Sequence, residues 1–418
     1  MNSPALRRIR DQELRPIALA CVLILPLFLF YARALADISV SLIGLLFLAH
    51  SAQKGEWRWL RRPWVWLAGG IWALQLIGAG LTGPMGSILQ SAAMIRLLIL
   101  VAALETWVLT EEAERRRLEL VMLVLAGWLA LQCWEQLLTG SNLFGDPRWG
   151  DGALTGPFLK PRAGGVFLFV ALLGVMPALL RLLAGRRAQA LAGAALLLAM
   201  VATMVIIGQR MPNLLLFLGL GLTALFVRRF RRPVLLAALF AGVALAALPV
   251  ISPPTYAKLV LKFADQMQHF LASPYGQLYG RALVMMWDHP LFGLGFDGFR
   301  NLCGDPVYAA QQMRLADFAI QDPSNDGCNM HPHNYFLQIG VAAGLLGLAL
   351  FVALLLQWLT GLLRARSRDP GVELTVLLVA FCVTFWPIAS TSSLFTFDTA
   401  GWVFLTTGWA LAAARPRP

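Results

Sequence analysis

The sequence predicts an all-α polytopic membrane protein with about twelve transmembrane helices and one helical segment outside the membrane. Apolar residues make up 58% of the 418 residues and charged residues only 13%, a balance that excludes a soluble domain of this length. The apolar residues form separate runs of about 15–25 residues, close to the length that a helix needs to cross a bilayer. In such a chain a net charge of +12 indicates membrane topology and not nucleic-acid binding.

Twelve apolar runs divide the chain into three parts. Residues 1–251 are predicted to hold transmembrane helices 1–9, residues 252–332 a loop with short amphipathic helices, and residues 333–418 transmembrane helices 10–12. The runs lie at about residues 16–33, 36–50, 63–81, 89–109, 118–138, 163–183, 187–208, 211–227, 233–251, 333–361, 373–390 and 398–414.

Lysine and arginine predict the orientation of these helices. If the N-terminus lies in the cytoplasm and the spans alternate, every cytoplasmic segment is basic, as at residues 228–232. Basic residues favour the cytoplasmic loops of membrane proteins. Both termini are therefore predicted in the cytoplasm. The 252–332 segment is predicted on the outer side, together with the turn near 390–398.

A few basic residues remain on the outer side, where topology does not explain them. Lys160 and Arg162 end a Gly- and Pro-rich loop, Arg210 lies in a tight turn, and Arg281 lies in the large outer loop. Arginine binds phosphate bidentately, which favours a lipid-linked phosphate substrate held at headgroup depth. We therefore predict an anion site made of the three arginines, with Lys160 as a weaker fourth member. The alternative for Lys160 and Arg162 is a role as interfacial anchors.

The outer loop is predicted to contain three short helices. Residues 255–271 have one apolar and one polar face, which is typical of a helix lying on a bilayer surface. Two more helices are expected at 276–289 and at about 306–314. Cys303 and Cys328 flank the third helix, and an oxidising compartment would favour a disulfide there, although the sequence leaves the pairing open. No Cys or Cys/His spacing typical of a metal site occurs in the sequence.

The outer loop ends in His331-Pro332-His333-Asn334, where the tenth predicted span begins. The first turn of a helix carries free N–H groups and a partial positive charge, which keep a nearby histidine neutral. A neutral imidazole accepts a proton, so His333 is the candidate general base. The alternative is that His333 only holds the acceptor in place. Asn334 is expected to orient that base or a bound sugar. His331 is expected to be a loop residue.

Short motifs on the predicted outer side resemble those of the O-antigen ligase and polymerase superfamily. The turn at Arg210 resembles the start of the motif region, although Gln209 replaces the usual serine. Length, twelve spans, cytoplasmic termini and one large outer loop before the tenth span are most similar to the O-antigen ligases. The motifs are Lys160-Pro161-Arg162, Arg210, Gly280-Arg281, Trp287, Pro290, Gly293-x-Gly295 and His333-Asn334-x-x-Leu337.

This resemblance implies a GT-C-like glycosyltransferase of the bacterial inner membrane, with one periplasmic helical segment and an active site facing the periplasm. The implied donor is O-antigen polysaccharide on undecaprenyl diphosphate, and the implied acceptor is a sugar hydroxyl of lipid A–core. The resemblance also implies inversion at the anomeric carbon without a metal or a cofactor. The implied partners are the two lipid-linked glycans and membrane lipids, not nucleic acid.

The candidate residues suit this chemistry because the leaving group is a diphosphate whose charge grows as the glycosidic bond breaks. His333 would deprotonate the acceptor hydroxyl and Arg281 would offset the charge on the departing phosphate, so both are predicted to be catalytic. The predicted substrate-binding residues are Lys160, Arg162, Arg210 and Asn334.

Other functions stay open at this point. An O-antigen polymerase uses the same donor with a second lipid-linked glycan as acceptor, and a protein O-oligosaccharyltransferase or a peptidoglycan glycosyltransferase shares the general design. A lipid-linked oligosaccharide flippase belongs to a different class. A flippase is expected to carry charge through the depth of the membrane, whereas the spans here are mostly apolar.

Overall fold

The computed structural model describes residues 4–315 and 327–416, and within these ranges the chain is helical without a β-sheet. Nine of the described helices are long and apolar enough to cross a bilayer, which confirms the predicted all-α polytopic membrane fold. The other three predicted spans coincide with shorter helices, so the number twelve stays a prediction. Residues 316–326 of the predicted outer loop lie outside the described residues.

Nine helices cover the first nine predicted runs. Gly55, Gly140 and Gly208 follow three of them with positive φ angles of 68°, 93° and 74°, the left-handed conformation that ends a helix and that glycine adopts without strain. These helices are α1 (Pro4–Tyr31), α2 (Arg33–Lys54), α3 (Pro63–Thr82), α4 (Met85–Val108), α5 (Glu112–Thr139), α6 (Ala163–Leu183), α7 (Arg187–Ile207), α8 (Arg210–Phe226) and α9 (Arg228–Ile251).

The rest of the described chain contains the loop helices and the last three bundle helices. An interrupted helix α10 spans 253–268 and is formed by Pro253–Tyr256, the π-turn Ala257–Leu261 and Lys262–Gln268. The following helices are α11 (Pro274–Asp288), α12 (Gly298–Leu302), α13 (Pro306–Leu315), α14 (Tyr335–Arg368), α15 (Val372–Thr384) and α16 (Phe397–Ala413). The three loop helices expected from the sequence therefore correspond to α10, α11 and α13, and α12 is an addition.

The helix bundle has two ends that differ in their polar contacts. We call the end that carries residues 139–162, 252–315, 327–334 and 385–397 the loop face. The opposite end, with the turns at 55–62 and 109–111, is the arginine face. Ion pairs tie helices together at the arginine face: Arg15–Glu114 at 2.8 Å, Arg62–Glu105 at 2.9 Å, Arg115–Glu373 at 2.7 Å and Arg181–Glu119 at 2.5 Å.

Helix α14 is broken at Gly344, and the outer loop docks into the break. Gly344 has φ 71° and ψ −175°, so the backbone leaves the helical conformation there. The freed carbonyls of Val341 and Ala342 accept hydrogen bonds from the N–H groups of Leu294 at 2.8 Å and Gly295 at 3.0 Å. The Leu345 N–H donates to the Pro290 carbonyl at 2.7 Å. Backbone groups at membrane depth need such partners because hydrocarbon offers none.

A buried apolar cluster fills the space between this turn and α11. Leu278, Met285, Leu294, Phe299 and Val341 are members of it, and all are nearly inaccessible to solvent. The cluster is separate from the larger core that runs between the bundle helices. The turn at 290–295 and the cluster thus fix α11 against the first half of α14, at whose start His333 lies.

The break in α14 predicts an asymmetric effect of two substitutions in the same helix. A Cβ at Gly344 would overlap the Pro290 carbonyl and would also require a backbone conformation that is nearly restricted to glycine. We expect Gly344→Ala to lower the free energy of unfolding by about 2–4 kcal/mol. Thermal unfolding in detergent measures the effect.

Gly361→Ala is the matched control, because it lies in the same helix and a Cβ there meets no atom within 4 Å. We expect this substitution to be neutral or to stabilise the protein by up to about 1 kcal/mol. Equal losses from both substitutions would show that the docked turn has no special role.

Candidate functional site

His333 has a strained backbone at the loop face. Its φ angle is 52°, the only positive value of a non-glycine residue among those described. Such a conformation costs on the order of 1–3 kcal/mol and persists only where the surroundings impose it. Here the Thr391 N–H donates to the His333 carbonyl at 2.7 Å, which clamps the backbone from the turn between α15 and α16. The strain fixes where the imidazole points.

The hydrogen bonds of the imidazole determine its tautomer. Nδ1 lies 3.0 Å from the Thr391 carbonyl oxygen, which only accepts, so Nδ1 carries the proton and donates. Nε2 then keeps a free lone pair, with the Asn329 amide nitrogen at the edge of hydrogen-bond range, 3.5 Å away. Burial lowers the pKa of His333 below its usual value. The ring is therefore neutral at pH 7, and Nε2 can accept a proton.

Two aromatic rings lie beside this imidazole. The His331 ring is 4.2 Å away between centroids, and burial together with the neighbouring His333 lowers the pKa of His331 to about 4. Tyr275, at the start of α11, meets the His333 ring edge-on at 5.8 Å. His331 is thus the immediate neighbour of His333 and not merely a loop residue.

Asn334 uses its side chain within the protein. Its Oδ1 accepts hydrogen bonds from the N–H groups of Phe336 at 2.9 Å and Leu337 at 3.1 Å, which caps α14. Its Nδ2 donates to the carbonyls of Pro387 at 2.7 Å and Ala389 at 3.2 Å. Since the side chain is also buried, Asn334 holds the backbone next to His333 in position and has little surface for a sugar.

The turn at 385–396 contacts His333 and continues to the cationic residues. Gln338, one turn into α14, donates to Ser393 Oγ at 2.7 Å and accepts from the Leu394 N–H at 2.8 Å. A few residues further on, Asp398 in the first turn of α16 lies 3.3 Å from the Arg162 guanidinium. One stretch of chain thus links the imidazole to the first predicted cation.

Arg162 and Lys160 lie at the end of the 139–162 loop, just before α6. The Arg162 guanidinium is half-buried and lies over the Phe158 ring at 5.4 Å in addition to its contact with Asp398. Lys160 is exposed and has no acidic partner among the described residues. Lys160 is therefore a free positive charge beside a partly compensated one.

Arg210 begins α8 next to this loop. The amide of Gln209 donates to the Pro161 carbonyl at 2.6 Å, which joins the two cationic turns. The Arg210 guanidinium donates to Gln266 Oε1 and lies 5.9 Å from the Phe263 ring centroid, both on α10. In the described part of the chain it has no carboxylate partner. The structure thus brings Arg162 and Arg210 together at two adjacent helix N-termini, where free backbone N–H groups also favour an anion.

Arg281 occupies a different environment from the other cations. It is fully buried in the outer loop, where Nε donates to Gln312 Oε1 at 2.8 Å and Nη1 donates to the Cys303 carbonyl. Cys303 and Cys328 form a disulfide, so the pairing that the sequence left open is present. The guanidinium fastens α11 to α13 and to the disulfide-linked chain, and it does not reach the surface beside Arg162 and Arg210.

Three contributors to this site were missed by the sequence analysis. Tyr275 and Gln338 belong to none of the motifs, and Gln209 was noted only as a departure from one. All three acquire their roles through contacts with distant parts of the chain. The sequence predicts the turn near 390–398 on the same side as His333, but no sequence pattern indicates the hydrogen bond of Thr391 to His333. Among the described residues, no group of three or more His, Cys, Asp or Glu is arranged to hold a metal ion.

The fold and the site together define a multi-pass membrane protein with a neutral imidazole and unpaired cations at one face. The family model described as O-antigen ligase matches residues 194–352, from α7 into α14, and no curated protein matches the chain. This match confirms the predicted resemblance to the O-antigen ligase family over residues 194–352. The match and the fold together support a membrane enzyme of the O-antigen ligase or polymerase type.

The two lowered histidine pKa values predict acid sensitivity. In the unfolded state both histidines bind protons near pH 6.5, whereas in the folded state both pKa values are lowered, that of His331 to about 4. The unfolded state therefore binds more protons as the pH drops below 6.5, and the free energy of unfolding falls. We expect His331→Asn to remove part of the dependence. Between pH 7.5 and 4.5 the wild type should lose about 2–4 °C more in its unfolding midpoint than the variant does. Identical losses would contradict the neutral buried pair.

Proposed function

We propose that the protein transfers O-antigen polysaccharide from undecaprenyl diphosphate to a sugar hydroxyl of lipid A–core. The family match supports the class of reaction. The observation that carries the proposal is the clamped, neutral His333 with a free Nε2 lone pair, at the same face as two arginines without full carboxylate compensation. A base and an anion site are the two parts that a transfer from a lipid diphosphate requires.

His333 acts as the general base in this proposal. Nε2 takes the proton of the acceptor hydroxyl while its oxygen forms a bond to the anomeric carbon, and the bond from that carbon to the diphosphate oxygen breaks. Attack from the side opposite the leaving group inverts the anomeric carbon. The hydrogen bond from Nδ1 to the Thr391 carbonyl stabilises the imidazolium that forms. General-base help is typically worth about 10²–10⁴-fold in rate.

Arg210, Arg162 and Lys160 bind the diphosphate. Among the described residues Arg210 donates to a neutral amide and has no carboxylate partner, so its charge is available to the phosphate oxygens as the leaving group gains charge. Arg162 shares its charge with Asp398 and contributes less. Arg281 and Asn334 are positioning residues in this scheme, because their polar atoms are engaged inside the protein.

The proposal includes an orientation and a division of the chain. The disulfide between Cys303 and Cys328 supports a loop face in the oxidising periplasm, and the basic turns support an arginine face and both termini in the cytoplasm of a bacterium. The parts are then helices 1–9 in residues 1–251, the periplasmic loop at 252–332, and helices 10–12 in residues 333–418.

The role of His333 predicts a specific loss of activity. Purified protein would be reconstituted with undecaprenyl-diphosphate-linked glycan and rough lipopolysaccharide without added metal, and the initial rate of transfer would be followed on gels. We expect His333→Ala to reduce the rate by about 10²–10⁴-fold. The unfolding midpoint is measured in parallel to show that the variant is folded. His269→Ala, an exposed histidine of the same outer loop, serves as the control and should keep its rate.

Three outcomes distinguish the alternatives. A wild type that only lengthens the donor glycan is a polymerase. A wild type that moves the donor across the bilayer without transfer is a flippase. A folded His333→Ala variant with full activity would refute the base, whereas the ligase assignment would still stand.

Arg210 is expected to act on the diphosphate through its planar fork. Arg210→Ala should lower kcat/KM by about 10–100-fold, and Arg210→Lys should recover only part of it, because lysine offers a point charge. The same reconstituted assay measures both. Arg228→Ala removes one charge just beyond the other end of α8 and should leave the rate unchanged. Full recovery by lysine would show that bidentate binding is not needed.

A further inference from the structure

A cavity of about 810 Å³ lies at the arginine face, at the opposite end of the bundle from His333. It is formed by the connection between α2 and α3, the end of α4 and the chain after α16. The cavity is large enough for a small-molecule ligand, since ligand pockets commonly measure about 300–1,000 Å³. Its charged lining residues are Arg58, Arg61, Arg62, Arg415 and Glu56.

Positive charge in this cavity exceeds the acidic charge that faces it. Arg62 lies 2.9 Å from the Glu105 carboxylate, whose other oxygen accepts from the Trp64 indole N–H at 3.0 Å. Arg415 therefore donates to the Glu105 backbone carbonyl, at 3.2 Å. Partial burial and the neighbouring Arg62 lower the pKa of Arg415. Two guanidinium groups thus lie beside one carboxylate, which contacts only Arg62 of the two, and a bound anion would compensate the charge of Arg415.

Two further arginines of the lining have no acidic partner among the described residues. Arg58 and Arg61 are the first and last residues of a one-turn 3-10 helix, Arg58–Arg61, so their side chains lie on the same side of it. The acidic residue nearest in sequence, Glu56, lies 3.6 Å from His50 instead. These two arginines are available to a ligand.

The cavity also has buried polar atoms without partners. Ser51 is fully buried, and its Oγ makes no hydrogen bond with the described residues. The indole nitrogen of Trp59 is also buried and also has no hydrogen-bond partner among them. Both residues line the cavity, and both atoms are donors suited to an anionic oxygen. An unsatisfied buried donor costs about 1–3 kcal/mol, so a ligand that accepts from it is favoured.

We propose that this cavity binds the phosphate group of an anionic phospholipid. The phosphate oxygens are held by Arg58, Arg61 and Arg415 and accept from Ser51 and Trp59. The lipid source is favoured because the cavity lies where the helices leave the bilayer and because exposed tryptophans, Trp57 and Trp66 among them, surround this connection as in the interfacial belt of membrane proteins. The volume exceeds what a free phosphate needs and suits a glycerophosphate headgroup.

Native mass spectrometry of the full-length protein in detergent tests this site. Phosphatidylglycerol, phosphatidylcholine and inorganic phosphate would each be titrated, and the apparent Kd of the first adduct determined. We expect the wild type to prefer phosphatidylglycerol clearly over phosphatidylcholine. Arg58→Ala/Arg61→Ala should weaken phosphatidylglycerol binding by roughly 30-fold, since each basic contact at an anionic lipid is worth about fivefold.

Arg228→Ala/Arg229→Ala is the matched control, because it removes two exposed arginines from the same face outside the cavity. This control variant should change the Kd by less than about twofold. Ser51→Ala, by contrast, should weaken binding, although the arginines of the site are intact. Equal losses in the two double variants would overturn the site in favour of general surface charge. Phosphate binding that depends on Arg58 and Arg61 without a preference for the anionic lipid would overturn the lipid source.

Discussion

The break in α14 is the constraint on which the rest of this structure depends. A helix interrupted inside a membrane exposes carbonyl and N–H groups that hydrocarbon does not satisfy. Here the turn at 290–295 supplies the missing partners, with hydrogen bonds to Val341, Ala342 and Leu345. The outer loop is therefore joined to the bundle by backbone hydrogen bonds as well as by apolar packing. The buried apolar cluster packs α11 against the first half of α14 beside that junction.

The residues of the candidate site differ in how far their polar groups are engaged within the protein. Arg281 and Asn334 spend their hydrogen-bonding groups on the loop and on the turn at 387–389. His333 has a left-handed backbone, with Nδ1 bonded to the Thr391 carbonyl and Nε2 in only a long contact of 3.5 Å with the Asn329 amide. A strained residue held by a satisfied neighbour is the arrangement expected where a reactive group must be aimed. The resemblance alone would not separate these roles.

The two ends of the bundle use arginine in different ways. At the arginine face, most guanidinium groups that contact the bundle have a carboxylate partner, and these pairs hold helices together. At the loop face, Arg210 has a neutral partner and Arg162 a shared one. The cavity beside Glu105 is different, because Arg58 and Arg61 in its lining have no carboxylate partner among the described residues. Unpaired charge is costly to keep near a membrane, and these exceptions are the two places where we propose a bound anion.

The sequence by itself determined the membrane class and most helix positions, and its motifs predicted the resemblance to the O-antigen ligase family. Apolar runs are local signals, so a helix predicted at 276–289 is found at Pro274–Asp288. What the tertiary structure decided depends on contacts between residues far apart in the chain. Thr391 clamps His333 across 58 positions, Gln209 joins a turn 48 residues away, and the burial of Arg281 depends on Gln312. Such pairs leave no pattern in a single sequence, because spacing along a helix records which face a residue occupies and not which distant segment meets it.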